Sequence, residues 1–203
     1  MLTRAEKPIN GLSLRTRLAI FDGTSVNAET ACTMEEEELT YDMLMRNGVK
    51  STNLLVAGLG PTQLRSRGVE SAMQLRQFGF DALHLVDPGF CNETSMAFGS
   101  EAVRSSFLAS AADAVALAGS EAMHILNITP LDLLRPCAGY PGEAIAVLQQ
   151  LPQGNALHGI SCTVILDAGL RADTLKRCGY GMAAVIQQLA PTGSELSKLG
   201  YTV

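Results

Sequence analysis

Three histidines and five cysteines are the side chains best suited to acid–base, nucleophilic or metal chemistry in this chain of 203 residues. His84 and Asp87 are spaced i, i+3, which puts an imidazole and a carboxylate on one face if the segment is helical. His124 and His158 stand alone. Cys32, Cys91, Cys137, Cys162 and Cys178 form no CxxC pair, and no histidine lies at zinc-ligand spacing from any of them. An odd number of widely spaced cysteines reads as reduced, buried or half-buried thiols in a reducing compartment. No Ser-His-Asp set is suggested by spacing, and no GxxxxGK[ST] phosphate loop occurs.

Two further stretches are partial motifs. Gly58-Leu-Gly60-Pro-Thr-Gln-Leu64 starts as a dinucleotide turn does, but the third glycine is missing. Ala19-Ile-Phe-Asp22-Gly-Thr24 resembles the nucleophile strand of aspartate-based phosphatases, with Thr24 where the second aspartate belongs. Neither assigns a catalytic, cofactor-binding or metal-ligating residue, and the expectation is that the chain has none.

Composition narrows the classes. Fifteen Lys and Arg against twenty Asp and Glu leave a net charge of −5, the wrong sign for generic binding to nucleic acid or an anionic membrane. No apolar run is long enough to span a bilayer. The first residues, Met1-Leu-Thr-Arg-Ala-Glu-Lys-Pro8, lack the apolar core of a secretory signal, so an intracellular location, cytoplasmic or organellar, is expected.

The elements are written in the glycines. Gly48, Gly58, Gly68, Gly79, Gly89 and Gly99 follow at steps of ten or eleven, and the phase returns at Gly119, Gly139, Gly159, Gly169, Gly179 and Gly200. Four residues before them stand Leu44, Leu54, Leu64, Leu75 and Leu85, then Val115, Ile165, Leu175 and Leu196, with Ile186 in a unit ending at Ala190. Immediately after them stand apolar residues, among them Val49, Leu59, Val69, Phe80, Phe90, Tyr140, Ile160, Leu170, Tyr180 and Tyr201. Thr40, Ser51, Ser71, Asp81, Asn92, Ser161 and Thr192 precede them as helix-capping types. Each unit therefore reads as a cap, two helical turns, a left-handed glycine at C′ and a hydrophobic C″ residue packing back on C3.

Helices so short do not survive alone and must lean on their neighbours. Segments such as Ser71-Ala-Met-Gln-Leu-Arg-Gln-Phe-Gly-Phe80 and Arg171-Ala-Asp-Thr-Leu-Lys-Arg-Cys-Gly-Tyr180 resemble short tandem helical repeats of the form S-A-x-x-L-x-x-x-G-F. The resemblance covers roughly residues 40–201 and is degenerate over 100–158. It implies an all-α, solenoid-like array acting as a protein-interaction or assembly module.

The expected organisation is an N-terminal arm or cap over 1–33 and a helical repeat domain over 34–203. Leu12–Phe21 reads as a strand or an extended arm. Thr33-Met-Glu-Glu36 is a capping box opening a helix over 34–47, and slightly longer helices are expected over 100–128. The loops at Pro136–Gly142 and Pro152–Asn155 can each mark a junction, near 136–154. Open ends of such an array are partner sites, with Tyr201 at the C-terminal edge the first candidate, and the aromatics after glycine are either a binding stripe or core staples. Partners are other proteins, in a multi-subunit assembly or by self-association.

The alternative is an α/β enzyme with a parallel sheet. It takes Asn53–Gly58, Ala82–Val86, Met123–Asn127 and Cys162–Asp167 as buried strands.

Overall fold

The computed structural model describes residues 39–152 and 156–201. The described chain is all-α: fourteen α-helices and two 3-10 turns, with no strand among the described residues. The helices are α1 (Tyr41–Arg46), α2 (Ser51–Val56), α3 (Pro61–Ser66), α4 (Ala72–Gln77), α5 (Pro88–Phe98), α6 (Ser100–Phe107) and α7 (Ala111–Leu117). There follow α8 (Ala122–Ile125), α9 (Pro130–Leu134), α10 (Pro141–Gln150), α11 (Cys162–Asp167), α12 (Ala172–Arg177), α13 (Met182–Leu189) and α14 (Gly193–Leu199). The 3-10 turns are His84–Val86 and Arg135–Cys137.

The parallel-sheet alternative is thereby overturned. Its four segments are α2, the first 3-10 turn, α8 and α11 with the residues that close them. Burial shows why. In α11 Cys162 and Ile165 are buried while Val164 and Leu166 between and after them are not, a spacing of three rather than a run buried on both faces.

The helix ends match the glycine pattern. Eleven glycines of the phase have positive φ, from Gly48 to Gly200. In α1 the Val49 N–H donates to the Leu44 carbonyl at 3.2 Å and the Gly48 N–H to that of Met45 at 3.0 Å, the two bonds of a Schellman motif. The same pair of bonds closes α2, α3, α4, α11, α12 and α14. Leu44, Leu54, Leu64, Leu75, Ile165 and Leu175 at C3 are all buried, as are Val49, Leu59, Val69, Phe80, Leu170 and Tyr180 at C″. At Gly68, φ +89° is the reason for glycine, since a Cβ there would meet nothing within 4 Å. Ala190 holds a left-handed φ of +46° where a unit ends without glycine.

The departures have local causes. Gly89 and Asn92 neither end nor cap a unit. Pro88 starts α5, the Asp87 carboxylate accepts from the Phe90 N–H at 2.7 Å, and Gly89 and Asn92 fall inside the helix. Near residue 149, where the repeat lacks its glycine, α10 runs on through Gln150. Over 100–128 the helices have eight, seven and four residues, so the longest, α5, lies just before that stretch. Of the helix expected over 34–47, residues 34–38 lie outside the described residues, and the described part is helical from Tyr41, because Thr40 is extended and its side chain caps α1. The arm over 1–33 with Leu12–Phe21 and Asp22, the Thr33–Glu36 box, Cys32 and residues 153–155 lie outside the described residues.

Of the other capping types, Ser71 and Thr192 form capping boxes with Gln74 and Glu195. Ser161 caps α11 by position alone, and Ser51 lies one residue inside α2. Ser110 and Thr129 form boxes with Asp113 and Asp132. The Pro136–Gly142 loop is shorter than expected, lying between the 3-10 turn at Arg135–Cys137 and α10 at Pro141.

Contacts divide the chain into two compact units. One holds the described residues up to Phe80 with Asn92–Ala102; the other holds Asp81–Cys91 and the described residues from Val103 on, those from 136 to 152 among them. Within the first, the Tyr41 N–H donates to the Arg67 carbonyl at 3.0 Å, and the Ser51 N–H to that of Phe78 at 2.7 Å. In both cases a first-turn donor with no partner in its own helix meets the cap carbonyl of the helix two further along. The Thr62 N–H in the first turn of α3 is instead satisfied by the Glu93 carboxylate at 2.9 Å.

Within the second unit α7 packs against α9 and α10, and α11 against α9 and α14. Here too helix starts lie beside later helix ends. A Cβ on Gly169, after α11, would lie 3.2 Å from Pro141 at the start of α10, and one on Gly200, after α14, 3.9 Å from Ala172 at the start of α12.

Candidate interaction surface

Of the helices in the second unit, α13 is the least covered. Its sequence, MAAVIQQL, has six apolar residues in eight, yet only Val185 is buried. Met182 is 42 % exposed and Ile186 46 %, and their i, i+4 spacing puts them on one face. The helix starts at Gly181 with no side-chain cap and stops at left-handed Ala190, followed by Pro191. One anchor is polar: the Gln188 side-chain oxygen accepts from the Leu157 N–H at 3.0 Å.

Ile186 was expected in the buried column four residues before the stop, and it is not buried. Val185, one residue earlier, takes the core instead. The helix end does not explain the change, since Ala190 is a left-handed cap bonded back to Ile186 just as Gly200 is to the buried Leu196.

Tyr201, the expected partner site, is also placed elsewhere. It is only 4 % exposed. Its hydroxyl donates to the Tyr180 carbonyl at 3.1 Å, and the Lys176 ammonium lies 5.6 Å from its ring centre. It is a staple, as are Phe80 and Tyr180, while Phe90 belongs to α5 and Tyr140, exposed, precedes α10. With three of the five buried, these aromatics form no binding stripe. The Tyr180 hydroxyl is buried without a hydrogen-bond partner among the described residues. Burial raises its pKa, and that of Tyr201, above the usual phenol value, with smaller contributions from Cys178 and Asp173 respectively.

The chemistry-bearing residues do not converge. His84 pairs with Asp81, Nδ1 to Oδ1 at 2.8 Å, rather than with Asp87, which caps α5. His124 and His158 lie exposed on separate elements. Gly58 closes α2 and Gly60 precedes α3, with the Glu93 carboxylate where a phosphate would sit. No group of three potential metal ligands occurs among the described residues.

Cys91, Cys137, Cys162 and Cys178 are buried and form no disulfide. Burial pushes the Cys91 and Cys137 thiols up to about 11, with the Glu143 carboxylate adding to the effect at Cys137. Such thiols are poor nucleophiles at neutral pH.

Two shallow clefts occur in the second unit. One, of about 310 Å³, is lined mainly by Ala82, Leu83, Ala112, Val115 and Ala116. The other, of about 280 Å³, lies among Arg104, Leu108, Asp132 and Arg135. Its charges are already engaged. Arg104 donates to the Asn127 carbonyl at 3.3 Å and stands 4.0 Å from Asp132. Burial raises the Asp132 pKa, but hydrogen bonds from Thr129 and the charges of Arg104 and Arg135 outweigh it and leave it lowered.

No helix among the described residues is long and apolar enough to cross a membrane. No family model, curated protein or solved structure matches the chain.

Proposed function

We propose that this chain is a non-enzymatic interaction module, a subunit whose short helices stack as a solenoid-like array and whose uncovered faces bind other proteins. The observation that carries the reading is α13, where Met182 and Ile186 form an apolar face that the described residues leave open to solvent. The bonds from Tyr41 to Arg67 and from Ser51 to Phe78 support the stacking, because they tie the starts of α1 and α2 to later turns of the chain. Four buried cysteines that form no disulfide fit a reducing, intracellular compartment.

The test compares the Met182→Lys/Ile186→Lys double variant with Gln187→Lys, which adds a charge on the same helix away from the face. Both are tagged and purified from the native source with quantitative mass spectrometry, after circular dichroism has matched their helix content. The double variant is expected to lose specific co-purifying proteins that Gln187→Lys retains. The same proteins at the same levels on both would overturn the reading.

A further inference from the structure

We infer that the apolar face of α13 seats in the cleft beside α7 of a second copy of this chain, with Met182 and Ile186 of one copy entering among Leu83, Val115 and the alanines of the next. The inference rests on the interaction-module reading and names its partner.

Both halves of the contact lie in the second unit. The cleft, of about 310 Å³, is lined by Ala82, Ala112, Val115 and Ala116, with Leu83 67 % exposed beside them. Small side chains leave the hollow there. α13 presents the converse, two long apolar side chains at i, i+4 that its own copy leaves in solvent.

Charge selects this pairing over others. Asp81, its side chain 49 % exposed, and Asp113 line the cleft. The segments that build it carry no lysine or arginine: residues 81–91 hold Asp81 and Asp87, and residues 105–134 hold Asp113, Glu121 and Asp132. Arg104, just before the second segment, is taken up by Asp132 and the Asn127 carbonyl. α13 has the opposite surroundings. No charged residue occurs from Cys178 to Ser194, and the flanking helices hold Arg171, Lys176, Arg177 and Lys198 against Asp173 and Glu195. An acidic cleft and a basic-flanked apolar face attract each other, and each repels its own kind. The two surfaces differ, so the contact is heterologous and leaves one of each free on every dimer.

Light scattering after size exclusion tests this on the full chain, from about 10 µM to about 1 mM, since so small a contact binds weakly. Circular dichroism first matches the helix content of each variant to wild type. The wild type is expected to exceed its 21.5 kDa monomer mass increasingly with concentration, and less so in high salt. M182E/I186E sets carboxylates against the acidic cleft, and L83K/A116K sets ammonium groups against the basic flank of α13. Each is expected to be monomeric alone, and their equimolar mixture to form a dimer and nothing larger, because each keeps the surface the other lacks. K176E/R177E is expected to associate about tenfold more weakly than wild type. A monomeric wild type, a mixture that stays monomeric, or undiminished association of any of the three variants overturns the inference. A monomeric wild type alongside partner loss in the M182K/I186K purification would leave the module reading standing with a different partner; a monomeric wild type without that loss would remove both.

Discussion

The backbone N–H of Ser51 lies 2.7 Å from the carbonyl oxygen of Phe78, so the first residue of α2 is bonded to the residue that caps α4. Neither group has a partner inside its own helix. The bond joins two orphan ends in one step and holds the chain where it returns on itself.

That bond can be removed with little change to the helix. Proline is favoured at the first helical position and already stands there in α3 and α10, and Lys50 has the extended backbone that a following proline requires. Ser51→Pro is therefore expected to leave the helix content of α2 intact but cost about 1–3 kcal/mol in urea unfolding, since the Phe78 carbonyl loses its donor. Ser51→Ala keeps the N–H and loses only the side-chain bond to Gly79, so it costs about 1 kcal/mol.

Alanine in the glycine column separates backbone strain from crowding. Gly68→Ala meets no atom and is expected to cost only the left-handed penalty, about 1–2 kcal/mol. Gly119→Ala would add a Cβ 2.8 Å from the Gln150 carbonyl oxygen and is expected to cost clearly more. Ala190→Gly runs the other way and raises stability by about 1 kcal/mol. Urea midpoints at constant m-value check all three.

The two C-terminal staple tyrosines predict opposite responses to the same substitution. Tyr201→Phe loses the bond to the Tyr180 carbonyl and is expected to cost about 1 kcal/mol. Tyr180→Phe removes a buried hydroxyl with no partner and is expected to be neutral or stabilising. Thermal melts of the two variants side by side decide this.

Cys91 and Cys137 set an alkaline limit. Their thiols titrate near 9 when unfolded and about 11 when folded, so the folded state keeps protons that the unfolded state gives up between those values. Stability is then full below pH 9 and falls as pH rises toward 11. Urea unfolding across that range is expected to show the slope, and Cys91→Ala/Cys137→Ala to flatten it even if the variant is less stable at pH 7.

The repeat could be read before any coordinates because a Schellman ending is local. Six consecutive residues decide it: a leucine at C3, a glycine free to take positive φ, an apolar residue at C″. At Gly68, Gly169 and Gly179 no distant contact is needed to know that a helix stops. Gly89 misled for an equally local reason, since Asp87 and Pro88 start a helix more strongly than the glycine ends one. The open face was less legible. The sequence placed Ile186 in the column that packs, and the structure buries Val185 in its stead.

On its own, then, the sequence determined where the glycine-ended helices from α1 to α4 and from α11 to α12 stop, because backbone freedom and neighbouring side chains act within a few residues; that the described residues hold helices in place of the alternative sheet came from the structure. Only the tertiary structure decided that Ser51 meets Phe78, that Tyr201 is a buried staple and that α13 keeps an apolar face in solvent. Those outcomes depend on which ends and faces meet after the chain has turned several times, and no short window of residues contains that information.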